Sequence, residues 1–172
     1  GYKGAFTTEE ILSQIRDEIH PNRFVFGKDI AKWVLLNTRY IEWGTTRAPH
    51  QFRRKTIPKL LEAKEKRLAM RTPGEAPNVI YDSDTLYCDA SSVGFIPWYL
   101  LKGIVNNSIN NVAKYRNQIT SGDRELRECT SEQYLLKYLL AILNSSFTSN
   151  WLKGKRRSKT HIYPDDWKKM PI

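Results

Sequence analysis

The strongest apolar pattern in the chain lies near its end. Leucines recur there with the spacing that lays one stripe along a helix, at Leu135, Leu136, Leu139, Leu140 and Leu143. Three further residues widen the stripe, namely Tyr134, Tyr138 and Ile142. The pattern predicts a buried helix over 134–143, with Thr130 or Ser131 as the cap at its start. Asn144-Ser145-Ser146 ends this helix, because such side chains bond to nearby backbone in competition with helical geometry.

A basic segment follows this predicted core helix, so we expect the buried helix to fix where the segment begins on the surface. Phe147 to Leu152 makes a second apolar turn, and cations follow at once at Lys153, Lys155, Arg156, Arg157 and Lys159. Beyond them we expect Asp165 or Asp166 to cap a turn before Trp167.

A second helical pattern lies at the beginning of the chain. Thr7 and Glu10 have the capping-box spacing, in which each side chain satisfies the backbone N–H of the other residue. An apolar face follows at Ile11, Leu12, Ile15 and Ile19. The pattern predicts a helix that His20-Pro21 stops.

Short runs of β-branched and aromatic residues between these ends predict strands. We expect strands at 24–26, 39–43 and 67–72, and a hairpin whose strands 79–81 and 85–88 flank Asp82-Ser83-Asp84. Helices are predicted at 58–63 and 97–105 and a surface excursion over 106–122, while 29–36 fits a helical turn or a strand. The mixture predicts an α+β fold, a single domain over 1–172 with a small, mostly antiparallel sheet and several helices.

Charge narrows the choice of partner. The 172 residues carry a formal net charge of +10 and a sequence pI of about 9.6, which favours nucleic acid ahead of an anionic membrane. No apolar run approaches the ~18 residues of a membrane span, and Cys88 and Cys129 make no disulfide framework. We expect a cytoplasmic protein without a membrane partner. Because the chain lacks an initiator Met, we also expect it to be a fragment of a longer protein.

Patterns for catalysis and cofactor binding are weak. An adenine methyltransferase needs an Asn/Asp-Pro-Pro-aromatic motif, and the chain contains no Pro-Pro. Neither a P-loop, a catalytic triad nor paired zinc-ligand spacing is present. Pro164-Asp165-Asp166-Trp167-Lys168 and Glu62-Ala63-Lys64 carry the letters of a metal-dependent nuclease, but adjacent carboxylates in one turn point apart. We predict that this domain is not an enzyme and has no cofactor or metal.

Basic residues cluster in two segments, which is the positive signal in the sequence. The first contains Arg47, His50, Arg53, Arg54, Lys55, Lys59, Lys64, Lys66, Arg67 and Arg71, and the second spans 153–159. Lys and Arg neutralise phosphates without sequence preference, whereas Arg reads guanine and Asn or Gln reads adenine. Candidates for base reading are Arg47, Gln51, Asn106, Asn107, Asn110, Asn111, Arg116, Asn117 and Gln118, although solvated loops share this composition.

Several stretches, in this order, resemble one protein family. They are VFGKDIAKWVLLNTRYIEW, IPKLLEAKEKRLAMRT, VIYDSDTLYCDASS, YLLAILNSSFTSNWLK and IYPDDWKKMPI. Together they resemble the target recognition domains of prokaryotic restriction–modification proteins. The type they resemble is the TaqI-like C-terminal specificity domain of adenine-N6 DNA methyltransferases and fused type II restriction enzymes. The resemblance covers nearly all of the chain.

The resemblance implies sequence-specific binding of double-stranded DNA. A target adenine would be presented to an N-terminal methyltransferase domain elsewhere in the parent chain. The residues expected at the DNA are Arg47, Arg53, Arg54, Lys55, Arg71, Lys155, Arg156, Arg157 and Lys159. Two alternatives stay open: a metal-dependent restriction endonuclease domain, and a general basic nucleic-acid-binding module. In the second alternative Trp33, Trp43 and Trp98 would stack on bases, although core positions suit them better.

Overall fold

The computed structural model describes residues 7–48, 65–73, 76–103 and 121–171, in which short strands come first and helices follow. The strands are β1 (Leu12–Ser13), β2 (Asn22–Val25), β3 (Arg39–Ile41), β4 (Lys66–Met70), β5 (Val79–Asp82), β6 (Tyr87–Cys88) and β7 (Ser92–Phe95). The α-helices are α1 (Ser121–Glu132), α2 (Leu136–Leu143), α3 (Ser146–Lys155) and α4 (Pro164–Trp167). Short 3₁₀ turns lie at Glu9–Ile11, Gly27–Asp29 and Trp98–Leu101. Within these ranges no helix has the length and apolar character that crossing a membrane requires.

Four strands form the first sheet, in the order β1-β3-β2-β6. Strand β3 pairs antiparallel with both β1 and β2, whereas β6 runs parallel to β2. One apolar cluster here buries Ile11, Phe24, Ile41 and Tyr87, and the ring of Trp43 meets that of Tyr87 edge-on at 5.2 Å between centroids. This burial stabilises strands that are too short to be stable alone.

Three antiparallel strands form the second sheet, in the order β5-β4-β7. The central strand β4 is buried from Lys66 to Ala69, because the C-terminal helices pack against the sheet. The cluster between sheet and helices contains Ala69, Val79, Leu143, Leu152, Ile162, Trp167 and Met170. Phe95 of β7 contacts the Trp167 ring edge-on, with centroids 5.1 Å apart.

The two sheets are joined by shared apolar contacts and by one close backbone approach. The shared cluster consists of Val25, Ile30, Leu68, Ile80 and Leu86. The Gly27 N–H donates to the Ser91 hydroxyl at 2.6 Å. A Cβ on Gly27 would lie 2.4 Å from the Ser91 carbonyl oxygen, so this approach requires glycine. The predicted α+β class is confirmed, with mostly antiparallel strands divided between two small sheets.

The predicted strands 24–26, 39–43 and 67–72 are confirmed as β2, β3 and β4, with small shifts at their ends. The predicted hairpin across Asp82-Ser83-Asp84 is wrong, because β5 pairs with β4 and β6 pairs with β2 of the other sheet. The turn itself exists, since the Asp82 carboxylate accepts from the N–H groups of Asp84 at 2.8 Å and Leu86 at 2.7 Å. Asp82 also holds the Lys66 ammonium at 2.6 Å, and this pairing fastens β5 to β4.

The predicted N-terminal helix is wrong beyond its first turn. After the 3₁₀ turn the chain becomes β1, and Ile15 and Ile19 are 74% and 52% exposed. Local side chains take the backbone donors that a helix needs: Ser13 Oγ accepts from the Ile15 N–H at 3.0 Å, and Asp17 Oδ1 accepts from the Ile19 N–H at 2.9 Å. Half of the predicted capping interaction is present, since the Glu10 side chain accepts from the Thr7 N–H at 2.8 Å.

The predicted apolar helix is shorter and less buried than its pattern indicated. Helix α2 begins only at Leu136, and the exposed fractions of Leu135, Tyr134 and Tyr138 are 79%, 45% and 56%. Leu135, not Thr130 or Ser131, precedes α2. The Ser131 hydroxyl instead donates to the Glu128 carbonyl at the end of α1, a helix that the pattern did not indicate, and accepts from the Tyr99 N–H at 2.9 Å.

The predicted end of this helix is confirmed. Helix α2 stops at Leu143, and the Ser145 hydroxyl caps α3 by accepting from the Thr148 N–H at 3.3 Å. The buried Asn144 side chain accepts from the Val79 N–H at 3.1 Å and donates to the Val79 carbonyl at 2.8 Å. The stop therefore fastens α2 to strand β5.

Two further predicted segments differ in the structure, and two others lie wholly or mostly outside the described residues. In place of a helix over 97–105, a 3₁₀ turn at Trp98–Leu101 is present within the described part. In the range 29–36, Asp29 is the last residue of the 3₁₀ turn Gly27–Asp29, and the rest forms no helix or regular strand, only an isolated bridge between Ile30 and Leu35. The predicted helix 58–63 and most of the excursion 106–122 lie outside the described residues.

Candidate nucleic-acid interface

The basic segment at 153–159 is rooted by α3 rather than by the preceding leucine helix. Leu152 and Thr148 are buried, and the Thr148 hydroxyl donates to the Ile142 carbonyl at 2.7 Å. Lys153 and Lys155 lie in the last turn of α3, where a cation interacts favourably with the helix dipole. The chain leaves the helix at Arg156, whose N–H still donates to the Leu152 carbonyl at 2.9 Å. The root of the segment is therefore fixed.

Arg157 turns back from this segment toward the end of the chain. Its guanidinium lies 5.3 Å from the centroid of the Tyr163 ring. It also donates to Asp165 at 3.2 Å, and its Nε lies 3.6 Å from the buried carboxylate of Asp166. The side chain stays 54% exposed, so solvent and ligands can reach it.

Arg71 approaches the same tyrosine from the end of β4. Its guanidinium carbon lies 5.1 Å from the Tyr163 centroid, and its Nη1 donates to the Ala90 carbonyl at 3.4 Å. The Arg71 carbonyl accepts from the Ile162 N–H at 2.9 Å, which fixes the two segments side by side. Its Nε is buried and has no hydrogen-bond partner in the described part of the chain.

These contacts define what we call the Tyr163 cluster: Arg71, Arg157, His161 and Tyr163. The His161 ring stacks on Tyr163 with centroids 6.1 Å apart and planes 24° apart. Exposed Lys155 and Lys159 flank the cluster in sequence. The structure thus brings together two arginines that belong to separate basic segments of the sequence.

The Asp166 carboxylate of helix α4 holds the backbone of two residues of the Tyr163 cluster in place. This carboxylate is 1% exposed and accepts from the Tyr163 N–H at 2.9 Å, which confirms the predicted cap before Trp167. It also accepts from the Arg157 N–H at 3.4 Å. Asp165 and Asp166 thus act as partners of Arg157.

No potential metal centre is visible in the described ranges. Within them, no group of three or more His, Cys, Asp or Glu side chains is placed to hold a metal ion. Glu62-Ala63-Lys64, the other nuclease-like match, lies outside those ranges. Burial raises the pKa of the Cys88 thiol to about 12, so this cysteine stays protonated at neutral pH and is a poor nucleophile.

Arg47 lies apart from the Tyr163 cluster, beside the first sheet. Its guanidinium hydrogen-bonds to the Glu42 carboxylate and to the Glu10 carbonyl, the latter at 3.2 Å. The hydrogen bond from Arg47 is the main reason that the pKa of Glu42 lies below its usual value. In this structure Arg47 holds the 44–48 loop against the sheet.

Three more of the residues expected at the DNA lie outside the described part of the chain, and one lies next to the Tyr163 cluster in sequence. Arg53, Arg54 and Lys55 lie outside the described residues, as do the base-reading candidates Gln51, Asn106, Asn107, Asn110, Asn111, Arg116, Asn117 and Gln118. Arg156 is half-buried next to the cluster in sequence.

Sequence reasoning missed Tyr163 and misjudged Trp33. Tyr163 belongs to the family-like stretch IYPDDWKKMPI, yet a tyrosine between isoleucine and proline gives no signal that two distant arginines converge on it. Trp33 was expected in the core, but it is 48% exposed, whereas Trp43 and Trp98 are half-buried.

Comparison of the chain with protein-family models, with curated proteins and with solved structures finds no match.

Proposed function

We propose that this chain binds double-stranded DNA as the target recognition domain of a restriction–modification protein. The observation that carries the proposal is the convergence of Arg71 and Arg157 on Tyr163, next to the exposed Lys155 and Lys159. The net charge of +10 supports a polyanionic partner. The resemblance of five ordered stretches to the TaqI-like specificity domain narrows that partner to duplex DNA.

The chemistry of the Tyr163 cluster suits this role. An aromatic ring attracts a guanidinium by a cation–π interaction and limits its orientations. A planar guanidinium fixed in this way can give two N–H donors to a phosphate or to the O6 and N7 atoms of guanine. Lys155 and Lys159 are compact charges on flexible stems, which suits contact with the phosphate backbone without sequence preference.

The domain's part in the reaction is recognition. It grips the duplex, reads bases from its loops and presents a target adenine to a methyltransferase domain elsewhere in the parent chain. On this proposal the domain itself has no catalytic residue, cofactor or metal. The isolated chain then transfers no methyl group from S-adenosylmethionine and does not nick DNA with Mg²⁺.

A salt titration tests the proposed interface. Removing one cation that neutralises a phosphate lowers the slope of log affinity against log salt by about 0.9. Replacing Lys155, Arg156, Arg157 and Lys159 together by alanine is expected to flatten that slope by about two to four units on any duplex. The control removes the same charge from exposed positions elsewhere, at Arg16, Lys102, Arg127 and Lys137.

The two quadruple variants separate a local interface from diffuse charge. Equal flattening by both would mean that overall charge alone drives binding. An unchanged slope and affinity in the first variant would place the DNA on another face of the molecule. A single Arg157→Lys substitution keeps the charge but loses the planar fork. It should lose about 1–3 kcal/mol on the cognate site if Arg157 reads a guanine, and much less on random DNA.

A further inference from the structure

A tight turn in the described part of the chain presents a bare tryptophan at its tip. The Ala31 N–H donates to the Val34 carbonyl at 3.0 Å, and the Val34 N–H donates to the Ala31 carbonyl at 3.3 Å. Ile30 and Leu35 form a bridge at the base of this turn. Lys32 and Trp33 are therefore the two central residues of a small hairpin.

Neither backbone preference nor burial accounts for tryptophan at this position. Trp33 has φ of 72°, a left-handed conformation that turns normally assign to glycine or asparagine at the third residue. A bulky residue held in this region is strained, and such strain concentrates at functional sites. The side chain gains little from packing, because 48% of Trp33 is exposed, as are 55% of Val34 and 66% of Leu36.

The tip is fixed to the rigid part of the fold. The Trp33 N–H donates to the Val79 carbonyl of β5 at 3.3 Å, and the Leu36 N–H donates to the Asp29 carbonyl at 2.8 Å. Ile30, just before the turn, is 2% exposed in the cluster that joins both sheets. The exposed aromatic ring therefore stands on an ordered base.

The charge around the tip indicates what the exposed ring meets. Lys32 is exposed and precedes Trp33 directly in the chain, and Lys28 is exposed five positions earlier, with its ammonium 5.4 Å from the centroid of the Phe26 ring. Between residues 28 and 39 the only acid is Asp29, and this buried carboxylate is paired with Arg39 at 2.6 Å. An apolar tip flanked by cations matches a nucleobase with its neighbouring phosphates better than it matches an acidic or neutral protein surface.

We propose that Trp33 is an aromatic wedge that enters a base step of duplex DNA and stacks there. Lys28 and Lys32 contact the phosphates on either side, and Val34 and Leu36 face the sugars. Insertion of apolar side chains unstacks a step and bends the duplex. This inference rests on the proposed DNA-binding function and adds to it a second contact, distinct from the Tyr163 cluster.

The test uses variants that separate strain from contact. Trp33→Asn relieves the left-handed strain and removes the ring, whereas Trp33→Phe keeps a ring. We expect the asparagine variant to resist urea at least as well as the wild type, yet to bind a labelled duplex about 5- to 150-fold more weakly, the range that stacking on one base gives. The phenylalanine variant should stay within a factor of about three, and the salt slope should be unchanged in both, since neither substitution removes a cation.

Two further readouts and one control make the outcome specific. Duplex DNA should quench tryptophan emission more in the wild type than in Trp33→Asn. The distance between labels at the two ends of a duplex should decrease, because the duplex bends, only when the wild type or Trp33→Phe binds. Ile15→Asn, which also removes an exposed apolar side chain (74% exposed), should change neither affinity nor bending.

Each failure has its own meaning. If the wild type binds no duplex at all, both the recognition domain and the wedge are overturned. If the wild type binds and Trp33→Asn binds equally well, the wedge alone is overturned. Loss of stability in both Trp33→Asn and Trp33→Gly would give Trp33 a structural role instead. Trp33-dependent binding to vesicles of phosphatidylserine, without Trp33-dependent binding to DNA, would identify a membrane contact and also overturn the wedge.

Discussion

The two sheets place their charged side chains differently. Around the first sheet two arginines reach solvent while they are paired with acids: Arg23 bonds to Asp84 at 2.6 Å, and Arg47 bonds to Glu42. A third pair, Arg39–Asp29, is mostly buried. In the second sheet the Lys66–Asp82 pair is 1% exposed on both sides and lies inside the strand pairing itself. Beyond that sheet, Arg71 contacts an aromatic ring and, within the described residues, no carboxylate.

This difference means that counting cations does not locate a binding surface. A basic residue can seal a strand, hold a loop or remain available to a ligand, and only its neighbours decide which. Lys66 and Arg71 lie five positions apart in one basic segment, yet the first is fully buried and the second reaches the Tyr163 cluster. The following variants test this contrast, in order of decreasing expected effect.

Lys66→Met should be the most damaging of these changes. It leaves the Asp82 carboxylate buried without its cation, which typically destabilises a protein by about 3–5 kcal/mol. Urea denaturation measures the loss. The matched change Arg23→Met breaks a more exposed pair and should alter the free energy of unfolding by less than about 1 kcal/mol. Similar losses in both variants would remove the contrast between the two sheets.

Leu143→Ala should lower the free energy of unfolding by about 2–5 kcal/mol, because the side chain is 8% exposed in the cluster under the second sheet. Leu135→Ala, in the same leucine stripe, should change it by less than about 0.5 kcal/mol, because Leu135 is 79% exposed. Thermal or urea unfolding of both variants measures the difference. A small loss at Leu143 as well would mean that α2 contributes little to this core.

Asp166→Ala should destabilise the fold by about 0.5–2 kcal/mol, because the Tyr163 N–H loses its acceptor. Asp165→Ala should cost less, since that carboxylate is one-third exposed. Neither change should weaken DNA binding, because each removes a negative charge beside Arg157. If instead one of them abolished a Mg²⁺-dependent cleavage without unfolding the protein, the domain would be a nuclease.

Arg47→Ala should have only a small effect on stability at neutral pH, because the guanidinium is half-exposed and solvent screens its interaction with Glu42. The substitution should instead change how the free energy of unfolding depends on pH. Arg47 lowers the pKa of Glu42 from its usual 4.5. The resulting stability is therefore present above that value and is lost as pH falls through the lowered pKa. In Arg47→Ala this acid-dependent component of the unfolding curve should shrink.

The same variant sharpens the DNA assignment. If Arg47 keeps its bond to Glu42 in the complex, the salt slope of Arg47→Ala should match that of the wild type. A decrease of about 0.9 would mean that Arg47 leaves Glu42 for a phosphate, as the family resemblance implies.

Local patterns predicted those elements whose stability is local. The alternating β3 and the uninterrupted run of β4 were placed within two residues at each end. The stop after α2 was predicted because Asn and Ser side chains bond to nearby backbone groups. Ser145 does so, since its hydroxyl donates to the Ile142 carbonyl at 2.6 Å, whereas Asn144 bonds to the distant Val79. The N-terminal helix failed for a related reason, since Ser13 and Asp17 take the donors that an isoleucine stripe alone had assigned to a helix.

Long-range pairing explains the remaining errors. No local signal shows that β5 and β6, which follow each other in the chain, belong to different sheets. Their partners are distant in sequence: β5 pairs with β4, where Lys66 holds Asp82, and β6 pairs with β2. The separate basic segments were visible, but the meeting of Arg71 with Arg157 depends on β4 and the C-terminal turn lying side by side. The exposure of Trp33 was equally hidden, since exposed and buried tryptophans look alike in a sequence.

The contact between Asn144 and Val79 also affects whether another copy of the chain can add a strand to the second sheet. Strand β5 is an edge of its sheet, and an edge with open N–H and C=O groups is a template on which another chain can add a strand. The Asn144 amide bonds to both backbone groups of Val79, and the Val79 carbonyl also accepts from the Trp33 N–H, so this residue has no open backbone group left for another strand. The residue that ends a helix thereby also blocks strand addition at Val79, the first position of this edge.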